Sequence, residues 1–395
     1  MSAALPRVPL REAAEPVSRP VSPLPGETYR QLGVSLWGKG AYEREPVDGG
    51  LTKYQQLFRA ERGDIVVNKI WARNGSVAVV GDSFAGCHGS NEFPMFAPIE
   101  GRLDSRWMHW VTKTREFWSQ CDQKSQGTSG QNRIKPERFL EVEIPLPPFD
   151  EQRRIVARIE ELAAKLAAAS ATRQDSEREL LAFAKSYANA VFESANPQTR
   201  PLSDVCVLIT DGTHQTPRYV LDGAIFLSAQ NIKPFRFMPE VHRKVSHEDF
   251  AGYTARNKPM QGDVLLTRVG AGIGEAAVVD KEIEFAIYVS LALIRPDPSV
   301  LIPEYLVQWL NSPIGRSHSR ENTLGKGHSQ GNLNLNLLRS FPIPIPTLDK
   351  QRLIVAELDA LQVKINAVKT LQAETAAELD ALLPAILDKA FKGEL

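Results

Sequence analysis

The stretch IPLPPFDEQRRIVARIEEL at residues 144–162 returns 199 residues later as IPIPTLDKQRLIVAELDAL at residues 343–361. The two copies agree at ten of nineteen positions without a gap. In each copy, prolines that disfavour helix precede an aspartate, and the apolar spacing of a helix follows. Asp150 and Asp349 are predicted to be N-caps, whose carboxylates accept hydrogen bonds from free backbone N–H groups. The sequence therefore predicts that a globular segment ends and a long helix begins twice in one chain.

The repeat extends beyond this stretch. At the same offset, RGDIVVNKIWARNGSVAVVG at residues 62–81 aligns without gaps on QGDVLLTRVGAGIGEAAVVD at residues 261–280. GDIVVNKI and GDVLLTRV are predicted to be strands entered by a Gly-Asp turn, with SVAVV and EAAVV as their partners. PEYLVQWLN at residues 303–311 is predicted to be a helix. A gapless register with selective divergence indicates duplicated folding units whose variable parts do different work.

Apolar residues follow a 4-3-4-3 spacing in both predicted long helices, which is typical of a coiled-coil seam. The seam begins with Ile155, Ile159, Leu162 and Leu166 in the first helix and with Ile354, Leu358, Leu361 and Ile365 in the second. It is predicted to continue through Ala169, Leu180, Phe183, Tyr187 and Ala190, and through Val368, Leu379, Leu382, Ile386 and Ala390.

Polar residues interrupt both seams near the middle, at Arg173 and Ser176 and at Gln372 and Thr375. If the helices pack on each other about a pseudo-two-fold axis, they run antiparallel and these positions set their register. The alternative is that the polar residues face solvent. Pro384 predicts a kink late in the second helix.

These patterns predict an α+β protein with an internal pseudo-two-fold repeat. Two similar domains of mixed strands and helices are expected at residues 1–148 and 194–347, separated by long antiparallel coiled-coil helices at residues 149–193 and 348–395. Such a geometry suits a two-part target at a fixed distance, and duplex DNA is such a target.

Composition excludes several classes of protein. No apolar run approaches the length of a membrane span, and the N-terminal residues lack a signal peptide, so a cytoplasmic protein is expected. Cys87, Cys121 and Cys206 are too few and too scattered for a disulfide framework or a zinc site. The 47 basic and 47 acidic residues cancel, so a nucleic-acid surface would have to come from local clustering.

The chain resembles the specificity subunits of type I restriction–modification systems over nearly its whole length. The resemblance rests on the paired proline-rich entry to (D/E)xQRxIV, on the GD(I/V)(V/L) blocks, on ITDGTHQTP at residues 209–217, and on the ending LLPAILDKAFKGEL. The first domain departs from the pattern, because the arm PVSRPVSPLPG at residues 16–26 stands where a DGTH-type segment is expected.

The resemblance implies that each globular domain is a target-recognition domain that reads one half of a bipartite double-stranded DNA sequence. It implies that the long helices space these domains and dock two modification (methyltransferase) subunits. S-adenosylmethionine, ATP and Mg²⁺ are expected on partner subunits, which include a restriction subunit with translocase and nuclease activity where one exists. This chain itself is expected to hold no cofactor or metal and to catalyse nothing.

Two alternative functions are a fused restriction–methylation enzyme and a structural scaffold. A fused restriction–methylation enzyme would need cofactor motifs, but GVSLWGKG at residues 33–40 ends in glycine where a Walker A motif needs Ser or Thr, and no amino-methyltransferase motif occurs. A structural coiled-coil scaffold without DNA specificity is the alternative from a different class. It predicts no preferential affinity for DNA.

Candidate DNA contacts follow from residue chemistry, since Arg and Lys suit guanine edges and phosphates. The candidates in the first domain are Arg30, Lys39, Lys69 and Arg73. Those in the second are His214, Arg218, Lys233, Arg236, Arg268, Lys326 and His328. Lys69 and Arg268 are equivalent in the repeat, so they are expected to share a backbone-binding or structural role.

Overall fold

The computed structural model describes residues 5–125, 132–194, 198–324 and 331–395. The chain divides into two compact units: unit 1 is Met1–Arg173 with Ala373–Leu395, and unit 2 is Gln174–Gln372. Each unit therefore contains one globular part, the beginning of one long helix and the end of the other. This division differs from the four consecutive segments expected from the sequence, in which each helix formed a segment of its own.

Unit 1 is built on two sheets. Its strands are β1 (Arg7–Pro9), β2 (Ala14–Val17), β3 (Pro20–Val21), β4 (Thr28–Val34), β5 (Ala41–Asp48), β6 (Leu57–Arg59), β7 (Ile65–Val67), β8 (Val77–Val79), β9 (His88–Gly89), β10 (Met95–Pro98) and β11 (Glu143–Pro145). Its helices are α1 (Ser105–Val111), α2 (Arg115–Gln123), α3 (Pro136–Phe139) and the long α4 (Phe149–Ser194), which continues into unit 2. The sheet β2-β10-β7-β8 carries the main core, and β3-β6-β9-β4-β5 forms a second sheet.

Unit 2 repeats the first of these sheets. Its strands are β12 (Thr199–Pro201), β13 (Cys206–Asp211), β14 (Tyr219–Val220), β15 (Ala224–Leu227), β16 (Ile232–Lys233), β17 (Arg236–Phe237), β18 (Arg243–Val245), β19 (Val264–Thr267), β20 (Ala276–Val278), β21 (Phe285–Ile287), β22 (Leu291–Pro296), β23 (Thr323–Leu324), β24 (Asn332–Leu333) and β25 (Pro342–Pro344). Its helices are α5 (His247–Thr254), α6 (Pro303–Asn311), α7 (Pro313–Glu321), α8 (Leu335–Arg339) and the long α9 (Leu348–Phe391), which continues into unit 1. The sheet β13-β22-β19-β20 matches the core sheet of unit 1, and β14-β18-β15-β21 is a separate sheet.

Short 3-10 helices complete the described elements. They lie at Leu10–Glu12, Ala72–Asn74, Asp82–Phe84, Leu202–Val205 and Ala229–Asn231.

The predicted hairpins are present in both units. Ile65 pairs with Val79 in the antiparallel ladder β7–β8, and Val264 pairs with Val278 in β19–β20, so the 199-residue offset holds through both strands. Gly63 and Gly262, in the turns before these hairpins, have φ angles of 90° and 88°, which only glycine adopts readily. The prediction of α6 from PEYLVQWLN is confirmed with both ends.

The glutamine of the repeated motif ties each long helix to its globular part. Gln152 is fully buried and donates to the carbonyls of Arg102 and Pro147, both at 2.9 Å, while its Oε1 accepts from the N–H of Asp104 at 2.9 Å. Gln351 makes the same three bonds in unit 2, to Val300, Pro346 and Ile302. The motif is therefore retained in both copies because one amide satisfies three backbone groups where a helix enters the core.

An aromatic donor completes each junction. Trp107 Nε1 donates to the Pro145 carbonyl at 2.8 Å, and the Tyr305 hydroxyl donates to the Pro344 carbonyl at 2.9 Å. The proline-rich entry strands are thus held by side chains of α1 and α6.

The aspartates of the repeated motif do not serve as N-caps. Helices α4 and α9 begin at Phe149 and Leu348, so Asp150 and Asp349 lie in the first turn. There, the carboxylates favour the positive end of the helix dipole. The side chain that accepts at the start of α9 is Thr347, whose Oγ1 receives the N–H of Lys350 at 3.4 Å. The prediction of the cap was therefore wrong by two residues, since the cap positions are 148 and 347.

The two long helices meet antiparallel within each unit. In unit 1, Ile155 and Ile159 near the start of α4 share a core with Leu387 and Ala390 near the end of α9. In unit 2, Ile354 and Leu358 share a core with Val191 and Phe192. Of the remaining predicted seam residues, Ile365 is buried, and Leu162, Leu166 and Leu361 are half-buried.

Beyond the first turns, the predicted seam residues Leu180, Tyr187, Leu379, Ile386 and Ala390 are covered, but the others, including Ala169 and Ala190, are exposed. Phe183, Val368 and Leu382 are among the exposed residues, and the covered face follows Arg173, Glu177, Leu180, Ala184 and Tyr187 in α4 and Gln372, Ala376, Leu379, Leu383 and Ile386 in α9. The prediction of the exposed seam positions was wrong because a straight α-helix has 3.6 residues per turn and drifts away from a strict seven-residue repeat. Arg173 and Gln372 are half-buried, whereas Ser176 and Thr375 are exposed. Helix α9 runs through Pro384 to Phe391.

A buried carboxylate supports the turn before each hairpin. Asp64 accepts from both terminal nitrogens of Arg19, at 2.7 and 3.2 Å, and from the N–H of Glu61 at 2.8 Å. Asp263 accepts from Arg295 at 2.7 and 2.8 Å and from the N–H of Met260 at 2.8 Å. Arg19 follows β2, whereas Arg295 lies on β22. The same requirement is therefore met from different strands.

In the part of the chain that the structure describes, no helix is long and apolar enough to span a membrane.

Candidate nucleic-acid interface

The two units differ most in the segments inserted between the first core strand and the shared hairpin. In unit 1, this segment forms β3 to β6, which join the five-stranded sheet. In unit 2, it forms β14 to β18 and α5, with a different strand order. Because the supporting sheets are alike, the inserted segments are where the units can present different side chains to a ligand.

An open cleft of about 730 Å³ lies on the inserted sheet of unit 1. Its walls combine cations with aromatic rings and one amide, and include Trp37, Lys39, Tyr42, Arg44, Asn68 and Trp71. The three aromatic residues are exposed, as are Lys39 and Arg44. Exposed rings beside cations suit nucleic acid, because bases stack on rings while cations neutralise phosphates.

A glycine seats the Tyr42 ring in this cleft. Gly33 and Tyr42 are directly paired across β4 and β5, and a Cβ at Gly33 would lie 2.4 Å from Cζ of Tyr42. The ring therefore lies across the strand, and it occupies space that any other residue at position 33 would fill.

Trp37 is held in a left-handed backbone conformation, with φ of 60°. Its N–H donates to the Asn74 carbonyl at 2.7 Å, and the next N–H, of Gly38, donates to the Gly75 carbonyl at 3.1 Å. Lys113 Nζ donates to the Gly38 carbonyl at 3.0 Å, and burial lowers the pKa of that ammonium group. The loop that carries Trp37 is thus fixed by the shared hairpin and by the segment between α1 and α2.

The four residues predicted for the first domain are not brought to one site. Lys39 lines the cleft. The guanidinium of Arg73 lies 5.8 Å from the centre of the ring of Trp71, which also lines the cleft. Lys69 is largely covered and faces Glu92 at 3.9 Å. Arg30 is bound to both carboxylate oxygens of Glu43, at 3.0 and 2.6 Å, and the Ser83 carbonyl accepts a further bond. Lys39 and Arg73 are therefore the better placed of the four to meet a ligand.

Lys233 and Arg236 lie opposite each other in a two-residue hairpin of unit 2. Both are exposed, and the turn between them consists of Pro234 and Phe235. Phe235 has φ of 64° and an exposed ring. Unit 2 therefore also has a site where cations lie beside an exposed aromatic side chain, as the cleft of unit 1 does.

Arg268 is buried and holds the DGTH segment instead of facing a ligand. Its guanidinium donates to a carboxylate oxygen of Asp211, to the Leu333 carbonyl at 3.1 Å and to Asn332 Oδ1 at 3.2 Å. These contacts fit the structural role, one of the two roles expected for Arg268. Lys69 has no such set of acceptors. The equivalence of the two positions in sequence thus does not extend to their contacts.

His214 is oriented by the same carboxylate. Its Nε2 lies 3.0 Å from Asp211 Oδ2, while most of the imidazole is exposed. Asp211 thereby links an interior arginine to a surface histidine that can donate to an acceptor. Arg218 is also exposed. Lys326 and His328 lie outside the described residues.

Sequence reasoning missed the aromatic half of this surface, namely Trp37, Tyr42, Trp71 and Phe235, together with Arg44. The alternation of rings and cations in SLWGKGAYER at residues 35–44 was available in the sequence. The sequence analysis took Lys39 from this stretch but not its rings, since an aromatic residue is more often part of a core. The stretch connects two antiparallel strands, β4 and β5.

Within the described ranges, no group of three or more His, Cys, Asp or Glu residues is placed to hold a metal ion. Cys87 and Cys121 are buried and Cys206 is half-buried, and all three are free thiols.

Comparisons with known proteins bear on what this surface binds. The sequence model of the family described as "Type I restriction modification DNA specificity domain" matches residues 36–175 and 198–375. The chain is 31% identical over 153 residues to the type I restriction enzyme EcoBI specificity subunit of Escherichia coli, which covers 39% of this chain and 31% of that relative. The matched part thus spans about a third of the relative's length.

Two solved structures share the fold over almost the full chain. One is a chain from a study of complex assembly and conformational transition of the type I R-M system, with a TM-score of 0.75 and 23% identity, covering 99% of this chain and 98% of the other. The other is the HsdS subunit of Thermoanaerobacter tengcongensis, with a TM-score of 0.64 and 22% identity, covering 99% and 97%.

Proposed function

The chain belongs to the family of type I restriction modification DNA specificity domains, and from this premise we propose that it is the subunit that selects the DNA sequence for a type I restriction–modification complex. Each unit reads one half of a bipartite target in double-stranded DNA. The chain itself catalyses no step of methylation or cleavage, and it acts in the cytoplasm, where host DNA is accessible.

One observation carries this proposal. A common scaffold, the core sheet with its hairpin and glutamine-locked helix, supports inserted segments that differ between the units. In unit 1, the inserted segment forms a cleft that combines exposed rings, cations and an amide. A reader of two unlike half-sites needs this combination of a constant frame and unlike surfaces, because sequence is read by side chains at base edges.

The chemistry of the complex lies with partner subunits in this proposal. Two modification subunits, each a methyltransferase that binds S-adenosylmethionine, dock on the long helices, which also fix the spacing of the half-sites. A restriction subunit that uses ATP and Mg²⁺ joins where one is encoded. The exposed apolar side chains of the helices, such as Phe183, Leu353 and Val363, support a docking role.

The test is the methylation pattern of host DNA, read by single-molecule sequencing with the gene present, deleted or altered. The expected result is a two-part motif with a fixed gap that vanishes on deletion. Substitution of both Lys39 and Arg44 by alanine should weaken methylation at this motif, whereas Arg62→Ala, which removes an exposed cation outside the lining of the cleft, should leave it intact. A methylation pattern that is unchanged by deletion would overturn the proposal and favour the scaffold alternative.

A further inference from the structure

Two aromatic side chains, one in each unit, are held in a conformation that aromatic residues rarely adopt. In the described part of the chain, Trp37 and Phe235 are the non-glycine residues with positive φ, at 60° and 64°. For a bulky residue, such a backbone is a genuine outlier and is favourable only for glycine and, to a lesser degree, Asn or Asp. Backbone strain of this kind persists where the surrounding structure imposes it, and it concentrates at functional sites.

The two residues are anchored to the same repeated hairpin, although at different positions along it. The N–H of Trp37 donates to the Asn74 carbonyl, in the connection between β7 and β8. The N–H of Phe235 donates to the Ala276 carbonyl at 3.0 Å, at the start of β20. Both inserted segments are therefore pinned to the same hairpin of the repeated scaffold, and both present an aromatic residue at the pinned point.

Both rings are largely exposed, although the edge of the Trp37 ring also contacts Trp118 at a ring distance of 6.0 Å. Trp37 is 55% exposed and Phe235 is 43% exposed. Phe237, two residues further along the same hairpin, is buried and packs against Phe285 at a ring distance of 5.5 Å. The hairpin thus already contributes one ring to the core, and Phe235 is directed elsewhere.

Phenylalanine is an unusual residue for this position of the turn. A two-residue turn with Pro234 first and a positive φ second has the backbone of a type II turn, which normally carries glycine or asparagine at the second position. Glycine would remove the strain at position 235 and would also remove the exposed ring. Position 235 thus carries an exposed ring on a backbone that favours glycine.

Cations flank both rings. Lys39 and Arg44 line the cleft that contains Trp37, and Lys233 and Arg236 lie on either side of the Pro234–Phe235 turn. DNA has apolar base faces between two phosphate backbones, so an aromatic ring with cations beside it is complementary to DNA. Two identical protein partners would instead favour the same residue at both sites, and the residues here are Trp and Phe.

We propose that Trp37 and Phe235 are equivalent DNA-contacting wedges, each of which places its ring against the bases of one half-site while the flanking cations hold the adjacent phosphates. The proposal rests on the function proposed above and names the residues that carry it. Rings inserted at a base step distort the duplex and gain contact in return. The rigid anchors of both residues reduce the entropy lost when the rings bind.

The test uses the full chain with its modification subunits and a duplex that contains the two-part target found by methylation sequencing. Each thymine of both half-sites is replaced in turn by 5-iododeoxyuridine, which cross-links on irradiation to aromatic side chains in contact with it, and mass spectrometry identifies the linked residue. We expect Trp37 to be linked to one half-site and Phe235 to the other. Trp37→Ala should abolish only the first link, and Phe235→Ala only the second.

Affinity gives an independent measure. Each of the two alanine variants should weaken binding of the target duplex by about ten- to a hundred-fold, the range for loss of a ring stacked on a base. Leu221→Ala removes a fully exposed apolar side chain of unit 2 away from the hairpin, and it should bind as the wild type does. Trp37→Gly and Phe235→Gly accept the positive φ and should show the same losses as the alanine variants, which separates loss of the ring from disturbance of the backbone.

The outcomes are distinct. If the wild-type complex binds the target but Trp37 and Phe235 form no links and their variants keep full affinity, the wedge proposal is wrong and sequence selection by this chain stands. If the wild-type complex shows no preference for the target, the proposed function fails and the wedge proposal fails with it.

Discussion

Gln152→Leu should destabilise unit 1 by an amount that the hydrogen bonds of the glutamine define. Leucine has a similar size, so the substitution removes polar atoms with little change of packing. The N–H of Asp104 would lose its acceptor, and the carbonyls of Arg102 and Pro147 would lose their donor. A buried polar group without a partner costs about 1–3 kcal/mol.

The three groups do not contribute equally. The bond to Pro147 is fully buried, whereas those to Arg102 and Asp104 are part-buried and can be replaced partly by water. The expected loss is therefore about 3–5 kcal/mol, a large share of the 5–15 kcal/mol that is typical of a whole protein.

Equilibrium urea unfolding measures this loss, and hydrogen exchange with mass spectrometry locates it. Exchange should increase at the junction of α1 with the start of α4. Gln351→Leu should cause a similar loss at the matching junction of unit 2, since its amide makes the same three bonds. Gln120→Leu is the control: its amide makes two bonds to the backbone of Glu143 at the surface and should cost less than about 1 kcal/mol. A loss at Gln152 no greater than at Gln120 would refute the reasoning.

Three further predictions concern charge and helix continuity. Lys39→Ala should lower the salt slope of DNA binding by about one without loss of stability. Arg268→Met should leave the slope unchanged and cost about 1–3 kcal/mol in urea unfolding, since it removes the guanidinium from the half-buried Asp211 carboxylate. The reverse pattern would contradict these placements. Burial, assisted by the charge of Lys113, lowers the pKa of His109 to about 4 from an ordinary value near 6.5. The unfolded chain then binds the proton more readily, so the stability that this group contributes is present above about pH 6.5 and is lost as pH falls towards 4. His109→Gln should therefore reduce the change of the thermal unfolding midpoint with pH in this range. An unaltered pH dependence would show that His109 is not responsible. Pro384→Ala should increase the free energy of unfolding by up to about 3 kcal/mol and raise the thermal midpoint, because the exposed proline lies inside α9. A lower midpoint would show that the proline stabilises the folded helix.

The elements that sequence predicted well are those fixed by local rules. The hairpins β7–β8 and β19–β20 follow from Gly-Asp turns and β-branched runs, and α6 follows from its proline start and apolar spacing. The starts of α4 and α9 were predicted within one residue, and only the capping side chain was misassigned. The seam was predicted where it meets the globular cores, but only some of its later residues are covered: Leu180 and Leu379 are, whereas Phe183, Val368 and Leu382 are exposed. The drift of a straight helix away from a seven-residue repeat cannot be seen in a pattern with apolar residues at both phases.

The candidate interface was predicted only in part, because charge in a sequence does not reveal what the charge faces. Arg268 and Lys233 are both cations predicted to contact DNA, yet one is buried against Asp211 and the other is exposed on a hairpin. The difference arises from long-range packing, which brings Asp211, Asn332 and Leu333 to Arg268 and which no local pattern encodes. The exposed rings were missed for a related reason, since an aromatic residue in a sequence is more often part of a core.

The buried carboxylates show how one scaffold tolerates two unlike surfaces. Asp64 and Asp263 occupy the same place and need a guanidinium, because an unpaired buried charge is strongly unfavourable. Unit 1 supplies it from Arg19, after β2, and unit 2 supplies it from Arg295, on β22. The requirement is thus fixed by the scaffold, while the strand that meets it is free to change. Where Arg19 takes this role, the segment after β2 is committed to the interior charge. In unit 2, Arg295 pairs with the buried aspartate, and the segment after β13 instead places His214 at the surface. Asp211, the last residue of β13, contacts both His214 and Arg268. Both units therefore keep the aspartate and the glutamine of the scaffold, but the arginine that pairs with the aspartate comes from different segments, and the surfaces outside the scaffold differ.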